Sequence, residues 1–168
     1  LLDGARQIGK SYIIRTVGKR VYKNYVEINF AEDKEGDKIF ENIHKKEDFY
    51  LTLGMVAGQQ LNTYEDTLVF LDEIQECPEA IMALRFFKED MPELHVIAAG
   101  SLLEFALKEL PTFGVGRIHS MFMYPMTFDE FLEANGQQLL IEARNQASID
   151  NPLPEPLHDK LVELLRTY

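Results

Sequence analysis

Gly4-Ala5-Arg6-Gln7-Ile8-Gly9-Lys10-Ser11 stands almost at the start of the chain, after only Leu1, Leu2 and Asp3. Two glycines five positions apart, followed by Lys and a hydroxyl residue, form the pattern of a loop that wraps a phosphate. Each fixed position has a physical task. Gly4 and Gly9 let the backbone turn sharply, so that several N–H groups face one anion. A helix beginning near Lys10 adds the positive end of its dipole to the same place. Lys10 supplies an ammonium for the outer phosphates, and the Ser11 hydroxyl is suited to a magnesium ion. Arg6 and Gln7 occupy variable positions of the loop. The nucleotide-contacting set read from this stretch is Gly4, Ala5, Arg6, Gln7, Ile8, Gly9, Lys10, Ser11 and Tyr12. A glycine turn that merely starts a helix shows the same local pattern, so a partner stretch elsewhere has to decide.

That partner is Thr67-Leu68-Val69-Phe70-Leu71-Asp72-Glu73. An unbroken apolar run suits a strand covered on both faces of a parallel sheet. The two acids fall at its carboxyl end, where open α/β sheets bind ligands. Asp72 is placed to hold magnesium, largely through water, and Glu73 to polarise a water that attacks the terminal phosphate. Two carboxylates solvated at a strand end are the plain alternative, but the loop and the acids together point to nucleotide chemistry.

Around these stretches strands and helices alternate. Tyr12 to Val17 reads as a short helix with Gly18 placed to end it. Tyr25 to Phe30 alternates as a strand does. Asp37 to Leu53 carries Ile39, Phe40, Ile43 and Phe49 at helical spacing, and a weaker helix is expected from Gly54 to Leu61. Pro78 opens another helix, where its missing N–H costs least. His95 to Ala99 is a short buried strand, Leu102 to Glu109 a helix, and Ile118 to Tyr124 a further strand. Thr127 and Glu130 form a capping box before a helix carrying Phe128, Phe131 and Leu132. Such alternation predicts an α/β domain, a mostly parallel sheet with helices on both sides. The polar stretch from Asn145, with Pro152, Pro154 and Pro156, reads as a linker ahead of an amphipathic helix from Leu157 to Tyr168. The domain plan is therefore a core over residues 1–144 and a linker plus the start of a helical segment over residues 145–168.

Two further polar residues are candidates. Ser101 follows the His95–Ala99 strand, where a hydroxyl senses the terminal phosphate or the attacking water. With Glu104 it also forms a capping box, and the two roles are compatible. Arg117 follows Gly114-Val115-Gly116 and is placed to stabilise transition-state charge on its own or a neighbouring subunit's phosphate. A surface arginine looks the same in sequence. Gln75, two residues after Glu73, either orients water, relays nucleotide state to the helix after Pro78, or serves structure.

Composition narrows the function classes. The chain has 168 residues, 28 carboxylates against 17 Lys and Arg, and a formal net charge of −11. Such a surface repels nucleic-acid phosphates, so any nucleic-acid link is expected to be indirect. Lys19, Arg20 and Lys23 read as a solvated helix end. One cysteine and no long apolar run lead to the expectation of a soluble, cytoplasmic protein without membrane contact. The four histidines lack zinc-like spacing. No Asn-Lys-x-Asp or Thr-Lys-x-Asp stretch reads guanine, which disfavours a GTPase, and Glu73 argues against transfer to a small-molecule acceptor.

The segments GARQIGKS, LVFLDEIQ, AAGSLLEF and VGRIHSMFMYPMTFDEFL, in this order, resemble the prokaryotic AAA-type ATPases of the AAA_14 kind, in the origin-recognition and signal-transduction branches. The resemblance runs from Leu1 to about Asn135. It implies an AAA-like P-loop NTPase domain, a three-layer αβα sandwich binding ATP and Mg2+. Lys10 and Ser11 then belong to Walker A, Asp72 and Glu73 to Walker B, Ser101 to sensor 1, and Arg117 is the arginine-finger candidate, with self-association through it. Two activities fit: hydrolysis of ATP to ADP and phosphate, or a nucleotide-gated switch with little turnover. The likeness also implies that the chain is cut short at both ends, with a C-terminal partner domain to follow.

Overall fold

The computed structural model describes residues 1–32, 36–41, 45–58, 60–61, 64–101, 103 and 118–168. Within them the elements run β1 (Leu2–Asp3), α1 (Lys10–Val21), β2 (Asn24–Asn29), α2 (Gly36–Glu41), α3 (Lys46–Ala57), β3 (Thr67–Asp72), α4 (Pro78–Asp90), β4 (His95–Ala99), β5 (Met121–Phe122), α5 (Phe128–Ala134), α6 (Gln138–Gln146) and α7 (Glu155–Thr167). A single 3-10 turn, Ile74–Glu76, links β3 to α4. They form two compact units, Leu1–Tyr124 and Pro125–Tyr168. This division falls earlier than the composition change at Asn145.

The first unit is the α/β P-loop NTPase-like fold expected. Its sheet has five strands in the order β2-β3-β4-β1-β5, and every pairing is parallel. All six residues of β3 are buried, as a fully apolar strand in the middle of a parallel sheet requires. The pleat then sorts side chains to two faces. Val26, Ile28, Val69, Leu71 and Ala98 join Phe40, Phe49, Leu53, Ile81 and Phe87 of α2, α3 and α4 in the larger core. Phe70 and Ala99 point the other way, with Ile14 of α1 and the flanking Leu2, Tyr25 and Ile97. Three layers result: α2–α4, the sheet, and α1.

Several local readings change. Gly18 lies inside α1, which runs on to Val21 and ends at Tyr22, whose N–H bonds the Gly18 carbonyl. The glycine serves packing there: an added Cβ would sit 2.6 and 2.7 Å from Tyr25 ring carbons and 2.9 Å from Leu68 Cδ2. Alanine gains about 1 kcal/mol of helix propensity at such a site, but forced overpacking costs about 1–3 kcal/mol. Gly18→Ala is therefore expected to cost a net of about 1 kcal/mol and lower the melting midpoint by about 2 to 4 °C, read by thermal unfolding. The helix expected over residues 37–53 is divided between α2 and α3, with residues 42–44, Ile43 among them, outside the described residues. The weak helix from Gly54 is the end of α3, closed by Gly58 in the left-handed conformation at φ 65°. The strand expected over 118–124 pairs only through Met121 and Phe122. Cys77 is buried and its Sγ accepts the Ala80 N–H, so it caps α4 just ahead of Pro78.

The second unit contains α5, α6 and α7 around Leu132, Leu140, Ile141 and Leu161. Both bonds of the Thr127–Glu130 capping box form. Helix α6 was not legible in advance, because Gln, Arg and Asn dilute its apolar face to Leu140 and Ile141. On α7, Leu161 is buried while Leu165 is 53% exposed. Among the described residues no helix is long and apolar enough to cross a membrane.

Candidate nucleotide site

The pleat also fixes the chemistry. Residues Leu68 and Phe70 of β3 face α1, and Asp72 follows them in phase at the strand's carboxyl end. Ser11 stands in the first turn of α1, above the same sheet face. Its Oγ donates to Asp72 Oδ1 at 3.0 Å, across 61 residues of sequence. Phosphate loop and acid strand thus meet at one hydroxyl–carboxylate contact. Distance in the chain is closed because β4 alone separates β3 from β1.

The loop has the backbone of a phosphate cradle. Gly4 and Gly9 hold φ 141° and 96°, and Gln7 is left-handed at 62°. Gly9 also provides no side chain to cap α1, and the first turn carries no acid, so amide donors and helix dipole are left for an anion. At Gly4 a Cβ would overlap the Met123 carbonyl oxygen and come within 2.8 Å of Ile8 Cδ1. Gly4→Ala thus combines a strained φ with a backbone collision, each about 1–3 kcal/mol. It is expected to weaken nucleotide affinity by at least about tenfold, read by titration calorimetry. Lys10 is 8% exposed; its Nζ donates to the carbonyls of Gly4 at 2.8 Å and Ala5 at 2.6 Å. An ammonium has three protons, so one remains for a phosphate oxygen.

Asp72 is 5% exposed. Burial pushes its carboxyl above the ordinary value; the Ser11 hydrogen bond opposes this and the Glu73 charge adds to it. A buried carboxylate beside a second one gains from a cation. Arg15 already offers one side, its guanidinium lying 3.6 Å from Asp72 Oδ2 and 2.6 Å from Glu27 Oε1. Tyr25 donates to Glu27 at 2.8 Å. Burial alone would raise the Glu27 carboxyl, but the bonds from Arg15 and Tyr25 bring it below its usual range. Sequence reasoning gave Arg15 no role. Its signal was present: four residues after Ser11, it returns to the same helix face.

Glu73 follows Asp72 in a left-handed conformation, φ 51°, which turns the chain out of the strand. Its Oε2 accepts Gln75 Nε2 at 2.6 Å and lies 3.5 Å from Ser101 Oγ. Ser101 is 4% exposed and accepts a hydrogen bond from Arg6 Nε at 3.1 Å. Arg6, read as a variable loop position, is thereby tied to the segment that follows β4. Tyr12 is 73% exposed. Arg117 and Glu104 lie outside the described residues.

The family model described as an AAA domain, AAA_14, matches residues 1–132. The chain belongs to the AAA_14 family. None of the curated proteins compared with it matches. The matched span takes in the whole α/β unit of this AAA domain, with its loop and both strand-end acids, and AAA membership implies nucleotide binding.

The residues of this AAA_14 domain suit magnesium. Ser11 and Asp72 are hard oxygen donors in contact, and among the described residues no three His, Cys, Asp or Glu side chains gather into a cage. An ion held by one or two protein oxygens, its remaining ligands being water and phosphate, is what magnesium prefers.

Proposed function

We propose that this AAA_14 domain is a magnesium-dependent ATPase module that hydrolyses ATP to ADP and phosphate. The observation that carries the reading is the 3.0 Å contact between Ser11 and Asp72, which joins phosphate loop and acid strand at one point. Backbone amides of Gly4 to Ser11 bind and orient the phosphates, and Lys10 adds positive charge at the outer ones. Ser11 and Asp72 would hold magnesium, which would supply charge neutralisation to the phosphates. Glu73 receives a proton from the attacking water as the bond to the terminal phosphorus forms and the bridging oxygen leaves with ADP. Ser101 stands within reach of Glu73 and is suited to the same water. Such catalysis is positioning and electrostatics, since phosphoryl transfer needs little covalent work from the protein. Arg117 is the candidate for transition-state charge from its own or a neighbouring subunit.

The resemblance of its segments to the origin-recognition and signal-transduction branches of AAA proteins favours a second reading, a nucleotide-gated switch with little turnover. The test is steady-state turnover of the full chain with magnesium and with EDTA, alone and with DNA, RNA or protein fractions. Magnesium-dependent phosphate release supports the ATPase. A tight ATP or ADP complex with negligible release in every condition overturns it in favour of a nucleotide-gated switch.

A further inference from the structure

Gln75 carries a feature that packing does not explain. It stands in the 3-10 turn after β3, and its Nε2 donates to Glu73 Oε2 at 2.6 Å. Its Oε1 is buried and finds no hydrogen-bond partner among the described residues. Amide orientation at such a site follows from the network. Here Glu73, an acceptor-only carboxylate, demands the NH2 end, which forces the oxygen inward. A buried amide oxygen left without a partner costs about 1–3 kcal/mol.

Gly100 faces that oxygen. A Cβ there would overlap Gln75 Oε1, lie 3.3 Å from Gln75 Cδ and 3.1 Å from Leu103 Cγ. Gly100 is not among the residues with positive φ, so its backbone does not require glycine. Space for Gln75 does. Gly100, the first residue after β4, and Gln75, two residues beyond the acid pair, are thus fitted to one another. The Gln75 amide nitrogen is turned to Glu73, which leaves β3 in a left-handed conformation at φ 51°. Among the described residues that carboxylate's short bond is to Gln75; the Ser101 contact, at 3.5 Å, is long.

We propose that Gln75 is a positioning residue for Glu73: it fixes the carboxylate beside Ser101, and Gly100 is small to let it do so. This rests on the reading of Glu73 as the group that polarises the attacking water. It adds that the base is aimed from β4 through Gln75, so that the contact between the two strand ends sets the rate of the chemical step.

The test uses the full chain with Gln75→Met, nearly the same volume without the amide, together with Gly100→Ala and the double variant. Turnover, KM, ATP affinity by calorimetry and melting midpoint are read for each. A base displaced by about an ångström loses up to about a hundredfold in rate. Gln75→Met is expected to lower kcat about tenfold to a hundredfold, with KM and ATP affinity unchanged. Gly100→Ala should lose rate similarly, and the double variant should be no slower than the slower single one. Wild-type kcat in Gln75→Met overturns the proposal, as do multiplying losses in the double variant, or a rate loss matched by an equal fall in ATP affinity or by unfolding. Glu73→Gln separates this failure from the larger one. If it stops turnover while Gln75→Met does not, only the positioning role falls; if it turns over normally, or the unaltered chain has no turnover, both readings fall.

Discussion

Glu73→Gln is expected to slow ATP hydrolysis about 10²- to 10⁴-fold, the contribution of a positioned general base, while ATP stays bound. The substitution keeps the shape. A glutamine oxygen still accepts from Gln75 Nε2 and still lies near Ser101 Oγ, so neither β3 nor the turn after it has reason to move. What disappears is a negative charge and the ability to take a proton. The charge has a second effect, on binding. Asp72 and Glu73 are adjacent carboxylates, and Glu73 helps push the Asp72 carboxyl upward. On the proposed reading both lie beside the phosphates, which bring more negative charge. Removing one acid relieves that repulsion, so affinity for ATP should hold or tighten rather than weaken. Single-turnover kinetics with labelled ATP, read beside calorimetry, give the two quantities separately. Rapid hydrolysis by Glu73→Gln would show that another group handles the water.

How much of this was legible in the chain depends on the range of the interaction involved. Residues whose role is written in local backbone demands were read directly: the phosphate-loop glycines, the buried β3 strand, Pro78 opening α4, and the Thr127–Glu130 box. Each is decided within a few residues. Gly18 misled because two forces select glycine, a left-handed helix end and a close approach of another element. Only the second applies, and Tyr25 and Leu68, which apply it, belong to other strands. Gly100 repeats the lesson, since its small size answers to Gln75 across the sheet. Arg15 escaped for a related reason. Its partners Glu27 and Asp72 come from two strands made neighbours by the register of β2 and β3, with Asn29 opposite Asp72. Charge pairing across a sheet leaves no periodic trace. Helix α6 escaped because its fold-stabilising face is only two residues wide, below what a pattern of period 3.6 makes visible.

Lys10→Met separates binding from chemistry in the opposite sense. The ammonium is nearly buried, its Nζ on two loop carbonyls at 2.6 and 2.8 Å, so it does not wander as a surface lysine does. It pins the loop closed and brings a positive charge to the loop's concave side. Methionine keeps most of the stem volume and leaves two backbone acceptors to other partners, a cost of about 1 kcal/mol to the fold. The loss to a nucleotide is larger, since hydrogen bonds to charged groups contribute about 1.5–3 kcal/mol each. Losing the direct phosphate contact and the loop's closure together gives about 3 kcal/mol or more, on the order of a hundredfold in affinity. The expected result is a chain that still melts cooperatively, loses ATP in calorimetry, and has depressed turnover that rises with ATP concentration. Turnover depressed at every ATP concentration, with affinity intact, would place Lys10 in the chemical step alone. The loop would then bind nucleotide by backbone amides and helix dipole without help from its one buried cation.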